Sequence, residues 1–194
     1  MRTASVHRKT KETDITLDLG LDGPGAVKVA TGIGFLDHML ELVAKHGALA
    51  LAVRAKGDLG VDFHHTVEDV GICLGRALKE ALGDKTDLRR YGSAAVPMDE
   101  ALILAAVDLS GRPYLSYELE VRRRKLRDFD TELVEEFFRA LVNAAGMTLH
   151  LRQLAGRNTH HVVEAAFKAF ARALRAAVET DPRGGGVPST KGVL

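Results

Sequence analysis

A motif of two adjacent histidines and a glutamate, HHxxE, occurs twice in the chain, beginning at His64 and again at His160. Each copy opens a stretch with helical periodicity, so the first histidine and the glutamate four residues later lie on one face. The second histidine of each pair points about 100° away, towards a different neighbour. One copy alone would fit an ordinary polar helix start. Two copies, 96 residues apart, predict two metal ions.

The composition is that of an ordinary soluble protein. The 194 residues, 46% hydrophobic and 27% charged, suit one domain or two small fused ones. The formal net charge of +1 gives no reason to expect nucleic acid as a partner. The single cysteine, Cys73, predicts a buried thiol rather than a disulfide, which favours the cytoplasm. Neither a signal peptide nor a membrane span is expected from the hydrophobic pattern.

The predicted elements occur twice in the same order. The first half predicts three strands, a helix, a strand and a helix, at residues 2–10, 13–19, 26–30, 35–44, 48–55 and 63–82, with a turn at 22–25. The second half predicts the same series at residues 88–98, 101–109, 114–121, 131–145, 147–154 and 158–178. This order predicts an internal duplication of a βββαβα unit, in which Gly47 aligns with Gly146.

Two repeats of this size are expected to share one core, because each alone buries little apolar surface. We therefore predict an α+β fold with four helices packed between two four-stranded sheets. Residues 1–87 and 88–180 would form the two repeats. Residues 181–194 would form a flexible C-terminal arm that closes on the active site.

Each predicted repeat offers four candidate metal ligands. His38 lies on the helix before the first motif, and Glu136 lies on the corresponding helix before the second. The full candidate set is His38, His64, His65, Glu68, Glu136, His160, His161 and Glu164. Imidazole and carboxylate ligands without thiolate suit two manganese ions, or ferrous iron, whereas zinc more often takes a tetrahedral site.

Three other features have simple structural explanations as well as functional ones. His46 ends a predicted helix, where an imidazole interacts favourably with the helix dipole. The basic run at residues 122–125 fits a solvated loop, with nucleic-acid contact as the alternative. Ser189, Thr190 and Lys191 follow a glycine-rich stretch and belong either to a frayed terminus or to an arm that binds an anion.

Several segments taken together resemble one family. They are GFLDHMLELVAKHG, DLGVDFHHTVEDVGICLGRAL, RYGSAAVPMDEAL, VDLSGRPYL, NTHHVVEAAFKAFARAL and PSTKGVL. They are similar to the imidazoleglycerol-phosphate dehydratases of histidine biosynthesis over essentially the whole chain. The resemblance implies a duplicated fold like the second domain of ribosomal protein S5, two manganese ions per active site, and assembly through trimers into a 24-subunit shell. Many members have histidine where this chain has Glu136.

The resemblance also implies a reaction, the dehydration of D-erythro-imidazole glycerol phosphate to imidazole acetol phosphate. The carbon that loses hydrogen is barely acidic, because it lies beside no carbonyl. Two metal ions that bridge the substrate ring as an imidazolate would allow the ring to expel the neighbouring hydroxyl. Glu12 is the implied base. Glu68 and Glu164 are the other candidate catalytic carboxylates, although ligation would occupy them.

The resemblance further implies a phosphate clamp built around Arg90 and Arg112, whose forked donors suit phosphate. The implied substrate-binding residues are Glu12, His38, His46, Arg90, Arg112, Lys168, Ser189, Thr190 and Lys191. Two other functions use some of the same residues. A metal-storage or metal-sensing protein would need no phosphate clamp, and an RNA-binding module would use the basic run instead.

Overall fold

The computed structural model describes residues 1–23, 25–192 and 194. Its first half contains β1 (Thr3–Lys9), β2 (Thr13–Gly20), β3 (Val27–Ala30), α1 (Gly34–Gly47), β4 (Ala50–Gly57) and α2 (His64–Leu82). Its second half contains β5 (Tyr91–Met98), β6 (Ala101–Asp108), β7 (Tyr114–Glu118), β8 (Lys125–Leu126), β9 (Phe129–Asp130), α3 (Leu133–Ala145), β10 (Thr148–Ala155) and α4 (Thr159–Val178). Pro24 of the predicted turn and Val193 of the predicted arm lie outside the described residues.

The strands form two four-stranded sheets of the same topology. The first sheet has the order β1-β2-β4-β3 and the second β5-β6-β10-β7. In both, the last strand of the order is parallel to its neighbour and the other pairs are antiparallel. The predicted α+β fold, with its internal duplication, is therefore confirmed. Among the described helices, none is long and apolar enough to cross a membrane.

The strand register gives the alignment of the repeats. Val6 pairs with Leu17 in the first sheet, and Ala94 pairs with Ala105 in the second, 88 positions further along the chain for both partners. The third strands keep this shift, because Val27 of β3 and Leu115 of β7 are also 88 positions apart and pair with equivalent residues of β4 and β10. The first three strands of each repeat are thus equivalent residue by residue.

The ends of the first helices show a different shift. Ala48 and Gly146 both follow their helix in the left-handed conformation, with φ of 53° and 65°, and each donates its N–H to the carbonyl four residues earlier. These two residues, 98 positions apart, are therefore equivalent. The predicted alignment of Gly47 with Gly146 is wrong by one residue, because an alanine rather than a glycine takes the left-handed position in the first repeat.

The four helices form a layer between the sheets and pair across the repeats. α2 packs on β1 and β2, and α4 packs on β5 and β6. The partner of α1 is α4, and the partner of α2 is α3. The α2–α3 pair is close, since a Cβ added at Gly71 would lie 2.7 Å from the Phe137 carbonyl oxygen. This pairing places the first helix of each repeat beside the HHxxE helix of the other.

The core lies between the two sheets and includes the predicted buried thiol. Phe137, Phe138, Phe167 and Phe170 stack on one another with at most 1% exposure. Cys73 is fully buried, and burial raises the pKa of its thiol to about 11. The thiol is therefore protonated and unreactive at neutral pH.

A hairpin of β8 and β9 is an insertion that the sequence pattern did not predict. It lies in the segment between β7 and α3, which has fourteen residues where the segment between β3 and α1 has three. The basic run lies at its start and is exposed. Phe129 of the hairpin is buried against Phe35, which also touches the His160 ring. The insertion therefore packs beside the start of α4.

Candidate active site

One cluster of predicted ligands forms where α1 packs against α4. The Asn158 side chain caps α4 by accepting the His160 N–H at 3.0 Å, which fixes the first turn. His160 Nε2 lies 3.1 Å from Glu164 Oε2, one turn along the helix. His38 Nε2, from α1, lies 3.5 Å from the same oxygen. The structure thus brings His38 together with the motif of the second repeat rather than with its own.

Lys168 and His46 extend this cluster along the helix pair. Lys168 Nζ lies 2.6 Å from Glu164 Oε1. Burial acts to raise the pKa of Glu164, but the hydrogen bond and charge of Lys168, with His160 and His38, outweigh it and lower that pKa. His46 has a lowered pKa because of its partial burial and the nearby charges of Lys168 and Arg172. The carboxylate is therefore ionised and the His46 imidazole is neutral at neutral pH.

A second cluster surrounds His65 at the start of α2. Asp58, in the loop after β4, accepts a hydrogen bond from His65 Nδ1 at 2.9 Å. The opposite ring nitrogen, Nε2, lies 4.0 Å from Glu12 Oε1. The hydrogen bond to Asp58, against a smaller effect of burial, raises the pKa of His65. Glu12 is half exposed, at 52% of its side chain, so solvent and ligands can reach it.

The turn that carries Glu12 is fixed on α2 by a buried carboxylate. Asp69 of α2 is 5% exposed and accepts hydrogen bonds from Arg8 Nε at 2.9 Å and Thr13 Oγ1 at 2.5 Å. A buried carboxylate is tolerated because both oxygens are paired with donors. These bonds join β1 and β2 to the helix one turn after His65, which holds Glu12 beside the imidazole.

A third cluster surrounds His161 at the start of α4. His161 Nδ1 lies 2.7 Å from Glu100 Oε2, and Nε2 lies 3.8 Å from Asp99 Oδ2. The other oxygen of Glu100 accepts the N–H groups of Arg157 and Asn158 at 3.1 and 2.7 Å. The hydrogen bond with His161, together with smaller contributions from these backbone N–H groups, lowers the pKa of Glu100 to about 2. Glu100 in turn raises the pKa of His161.

The remaining predicted ligands lie on the α2–α3 pair. His64 begins α2, and its ring is 6.3 Å from that of His65 and nearly perpendicular to it, at 81°. Glu68 lies one turn further along α2 and Glu136 lies on α3, and both are half-buried. Among the described residues, His64 forms no ion pair with Glu68 or Glu136, although α2 and α3 correspond to the helix pair that gathers His160, Glu164 and His38.

The predicted phosphate-binding residues line one open pocket of about 740 Å³. Its lining comprises Arg90, Tyr91, Arg112, Pro188, Ser189, Thr190, Lys191 and Leu194. Arg90 is held by Asp108, which accepts from Nε at 2.7 Å and Nη2 at 3.2 Å, and it donates from Nη1 to the Pro188 carbonyl oxygen at 2.8 Å. Arg112 is 71% exposed on its side chain. Arg90 therefore anchors the arm, and Arg112 is the more available cation.

The pocket lined by Arg90 and Arg112 lies at one end of α4, and the cluster of His160, Glu164 and His38 lies at the other. Arg90 donates its N–H to the Ala177 carbonyl oxygen at 3.0 Å, near the end of the helix. His160 is in the first turn, seventeen residues earlier, which corresponds to about 25 Å of helix. One chain alone therefore does not place these two groups of residues in a common pocket.

The histidine clusters contain suitable metal donors but not a complete metal site within one chain. Over residues 1–23, 25–192 and 194, no three His, Cys, Asp or Glu side chains converge as a metal-binding group. His38 and His160 do approach one oxygen of Glu164, but Lys168 pairs with its other oxygen. In the clusters around His65 and His161, a carboxylate forms a hydrogen bond with Nδ1 of the ring. Nε2 is then the nitrogen that a metal ion would bind.

Sequence reasoning missed three carboxylates of these sites. Asp58 precedes its histidine by seven residues, Glu100 precedes its histidine by 61, and Asp108 follows Arg90 by eighteen. In each pair the two residues lie in different elements of the fold, so periodicity within one helix or strand could not relate them. A search for acidic residues in the loops that precede each HHxxE helix would have found Asp58.

The chain is similar to known proteins over its whole length. Residues 31–174 match the family model described as imidazoleglycerol-phosphate dehydratase. Relatives of that name from Desulforamulus reducens and Acetivibrio thermocellus are 62% and 61% identical over the whole chain and cover 98% and 99% of those proteins.

Two solved structures are also similar to the chain. The Staphylococcus aureus imidazoleglycerol-phosphate dehydratase superposes with a TM-score of 0.84 at 43% identity, over 92% of this chain and 99% of that one. The Pyrococcus furiosus protein, in complex with (S)-C348, gives a TM-score of 0.84 at 41% identity, over 97% of this chain and 100% of that one. The chain therefore belongs to the imidazoleglycerol-phosphate dehydratase family.

Proposed function

We propose that the protein is a hydro-lyase that dehydrates imidazole glycerol phosphate to imidazole acetol phosphate in histidine biosynthesis. The observation that carries this proposal is the presence, in one chain, of an arginine-lined pocket for phosphate and of histidine clusters that suit metal ions. The family membership supports the same substrate.

Two manganese ions, or ferrous ions, are the proposed cofactors. The residues proposed to hold them are His38, His64, His65, Glu68, Glu136, His160, His161 and Glu164. When bound, the ions would supply Lewis acidity to the imidazole ring of the substrate. The donor set fits this role, since it combines imidazoles with carboxylates and has no thiolate. Lys168, now paired with Glu164, would move to the substrate when Glu164 binds metal.

Glu12 is the proposed base that removes the proton from carbon. It lies 4.0 Å from His65 Nε2, has half of its side chain exposed, and sits on a turn that Asp69 fixes to α2. A base must lie close to the reacting carbon and still be free to accept a proton. Glu164, by contrast, is buried and already paired with a lysine and two histidines.

Arg112 and the C-terminal arm are the proposed phosphate site. The exposed guanidinium of Arg112 can donate two parallel hydrogen bonds to phosphate oxygens. The Ser189 and Thr190 hydroxyls and the Lys191 ammonium lie in the same pocket. Arg90 takes part by holding Pro188, and with it the arm, against the pocket wall.

The complete active site is proposed to form between subunits. Only three carbon atoms separate the ring and the phosphate of the substrate, and they cannot span the roughly 25 Å between the two ends of α4. The ring and the phosphate of one substrate would therefore contact different chains. Assembly through trimers into a 24-subunit particle would supply such contacts.

The alternative functions lack a comparable observation. A metal-storage protein has no use for an arginine and hydroxyl pocket that Arg90 organises around the arm. An RNA-binding module would rely on the basic run at residues 122–125, which lies in an insertion whose aromatic residue, Phe129, is buried and cannot stack on bases.

A steady-state assay of the manganese-loaded protein tests the proposal. We expect ketone formation from imidazole glycerol phosphate. Arg112→Ala should raise KM by an amount equivalent to about 2–3 kcal/mol, the value of charge-assisted hydrogen bonds. Arg122→Ala, an exposed arginine of the insertion, serves as the control and should leave KM unchanged. Metal-loaded protein that forms no ketone above a protein-free control would contradict the proposal.

A further inference from the structure

Each repeat has a glutamate at the same place in the turn between its first two strands, but the two glutamates approach different nitrogens of the neighbouring histidine. Glu12 and Glu100 are 88 positions apart, which is the shift that the register gives for the first strands of the repeats. Both lie in the turn between the first two strands and approach the second histidine of an HHxxE motif. Glu100 contacts His161 at Nδ1, whereas Glu12 faces His65 at Nε2.

The Nδ1 contact of His65 is made by a residue with no acidic counterpart in the second repeat. Asp58 follows β4 directly, and the equivalent residue after β10, by the shift of 98, is Gly156. Asp58 Oδ2 meets His65 Nδ1 at 2.9 Å, and Oδ1 is buried without a hydrogen-bond partner among the described residues. In the part of the chain that the structure describes, the Asp58 side chain therefore forms a hydrogen bond with His65 alone.

An ionised carboxylate only accepts hydrogen bonds, so it selects one tautomer of the imidazole. In the neutral form of His65 and of His161, Nδ1 then carries the hydrogen, and the lone pair is on Nε2. A metal ion binds the nitrogen that has the lone pair, and a carboxylate on the other nitrogen fixes the ring orientation.

We propose that Asp58 and Glu100 are positioning residues that hold His65 and His161 in the metal-binding tautomer, and that Asp58 does so in the first repeat so that Glu12 is left free. In the second repeat Glu100 performs this role and also accepts the N–H groups of Arg157 and Asn158 ahead of α4. The duplicated glutamate thus has a structural role in one repeat and a catalytic one in the other. This inference rests on the proposed metal binding by both histidines.

Replacement of the carboxylate by its amide is the most direct test. An amide NH₂ turned towards Nδ1 would favour the opposite tautomer, in which Nε2 carries hydrogen and cannot bind metal. Asp58→Asn and Glu100→Gln should each weaken manganese binding by about 10- to 100-fold, measured by titration of the metal-free protein with manganese alone. Asp99→Asn is the matched control, because Asp99 lies 3.8 Å from His161 Nε2 but makes no Nδ1 contact, and it should change the affinity less.

The tautomers can be read without metal or activity. Solid-state ¹⁵N spectra of histidine-labelled, metal-free protein, recorded at a pH where His65 is neutral, should show Nδ1–H at His65 in the parent and Nε2–H in Asp58→Asn. The signal is assigned by its loss in His65→Gln. A double-mutant cycle separates positioning from folding, since Glu100→Gln should cost little further affinity once His161 is alanine. If Glu100→Gln fails to fold because of its backbone contacts, Asp58→Asn, which breaks none, carries the test.

The outcomes separate this inference from the proposed function. A parent protein that binds no manganese contradicts the proposed metal site itself. A parent that binds manganese, with amide variants that keep its affinity and its tautomers, contradicts the positioning role alone. Equal losses in Asp99→Asn and Glu100→Gln would likewise contradict it, since they would indicate a general effect of charge.

Discussion

His38 and Glu136 occupy the same position in the two repeats, each ten residues before the left-handed residue that ends its helix, Ala48 or Gly146. His38 lies beside His160 and Glu164 of the opposite repeat. By the same helix pairing, Glu136 lies on the helix that packs against the one carrying His64 and Glu68. The two proposed metal centres therefore differ by one carboxylate in place of one imidazole.

This difference predicts a change of metal preference in Glu136→His. A carboxylate favours manganese, whereas an imidazole favours zinc and nickel. The variant should still bind two ions but should take up several-fold more zinc relative to manganese, measured by elemental analysis after competition. Glu135→His, next to it but paired with Arg139, is the control. An equal metal ratio in parent and variant would show that residue 136 is not a ligand.

Glu12→Gln should lower kcat by about 10²-fold or more, the range for loss of a general base. Manganese affinity and KM should stay within a few-fold of the parent, because the Glu12 side chain is half exposed and lies 4.0 Å from His65 Nε2. Asp14→Asn, on the neighbouring strand and paired with His7 and Lys9, is the control for local charge. An unaltered kcat would remove Glu12 from the mechanism.

The repeats and most elements were predictable because hydrophobic periodicity, and glycines at the turns and helix ends between elements, are local signals. The hairpin of β8 and β9 was not, since strands of two residues each are too short to show an alternating pattern. The strand predicted from residue 88 begins at Tyr91, because Arg90 takes a positive φ of 68°. The exchange of helix partners was also unpredictable, because periodicity shows which face is apolar but not which helix covers it.

The N-terminal strand depends on an ion pair that titrates in acid. Arg2 donates to Asp22 through its backbone N–H, Nε and Nη2, and these hydrogen bonds lower the pKa of Asp22. Because the pKa of Asp22 is lower in the folded protein than in the unfolded chain, the ion pair stabilises the folded state at pH values above the unfolded pKa, near 3.9. This stabilisation is lost as the pH falls through the pKa of the folded state. Asp22→Asn should therefore cost about 0.5–1 kcal/mol at pH 7, reduced by solvent screening, and less at pH 3.

Urea unfolding of metal-free parent and variant at the two pH values measures this contribution. Asp128→Asn, exposed in the hairpin turn, is the control and should have no effect at either pH. A difference between parent and Asp22→Asn that grows in acid would contradict the sign derived from the pKa.

Removal of metal should dissociate the assembly. If the ions are held between subunits, metal binding stabilises the assembled form by mass action. We expect light scattering to give the mass of a 24-subunit particle with manganese and a shift towards trimers after chelation. A mass that stays unchanged, with elemental analysis showing the metal gone, would mean that other contacts hold the particle together.

The measurement that tests the shared active site most directly is complementation between two inactive variants. Arg112→Ala removes the phosphate contact and His160→Gln removes a proposed metal ligand at the far end of α4. Each variant alone should be nearly inactive at substrate concentrations well below the KM of the parent. Co-assembled particles should regain activity, because some sites then combine Arg112 of one subunit with His160 of another. Activity no greater than the sum of the two separate variants would contradict a site formed between subunits.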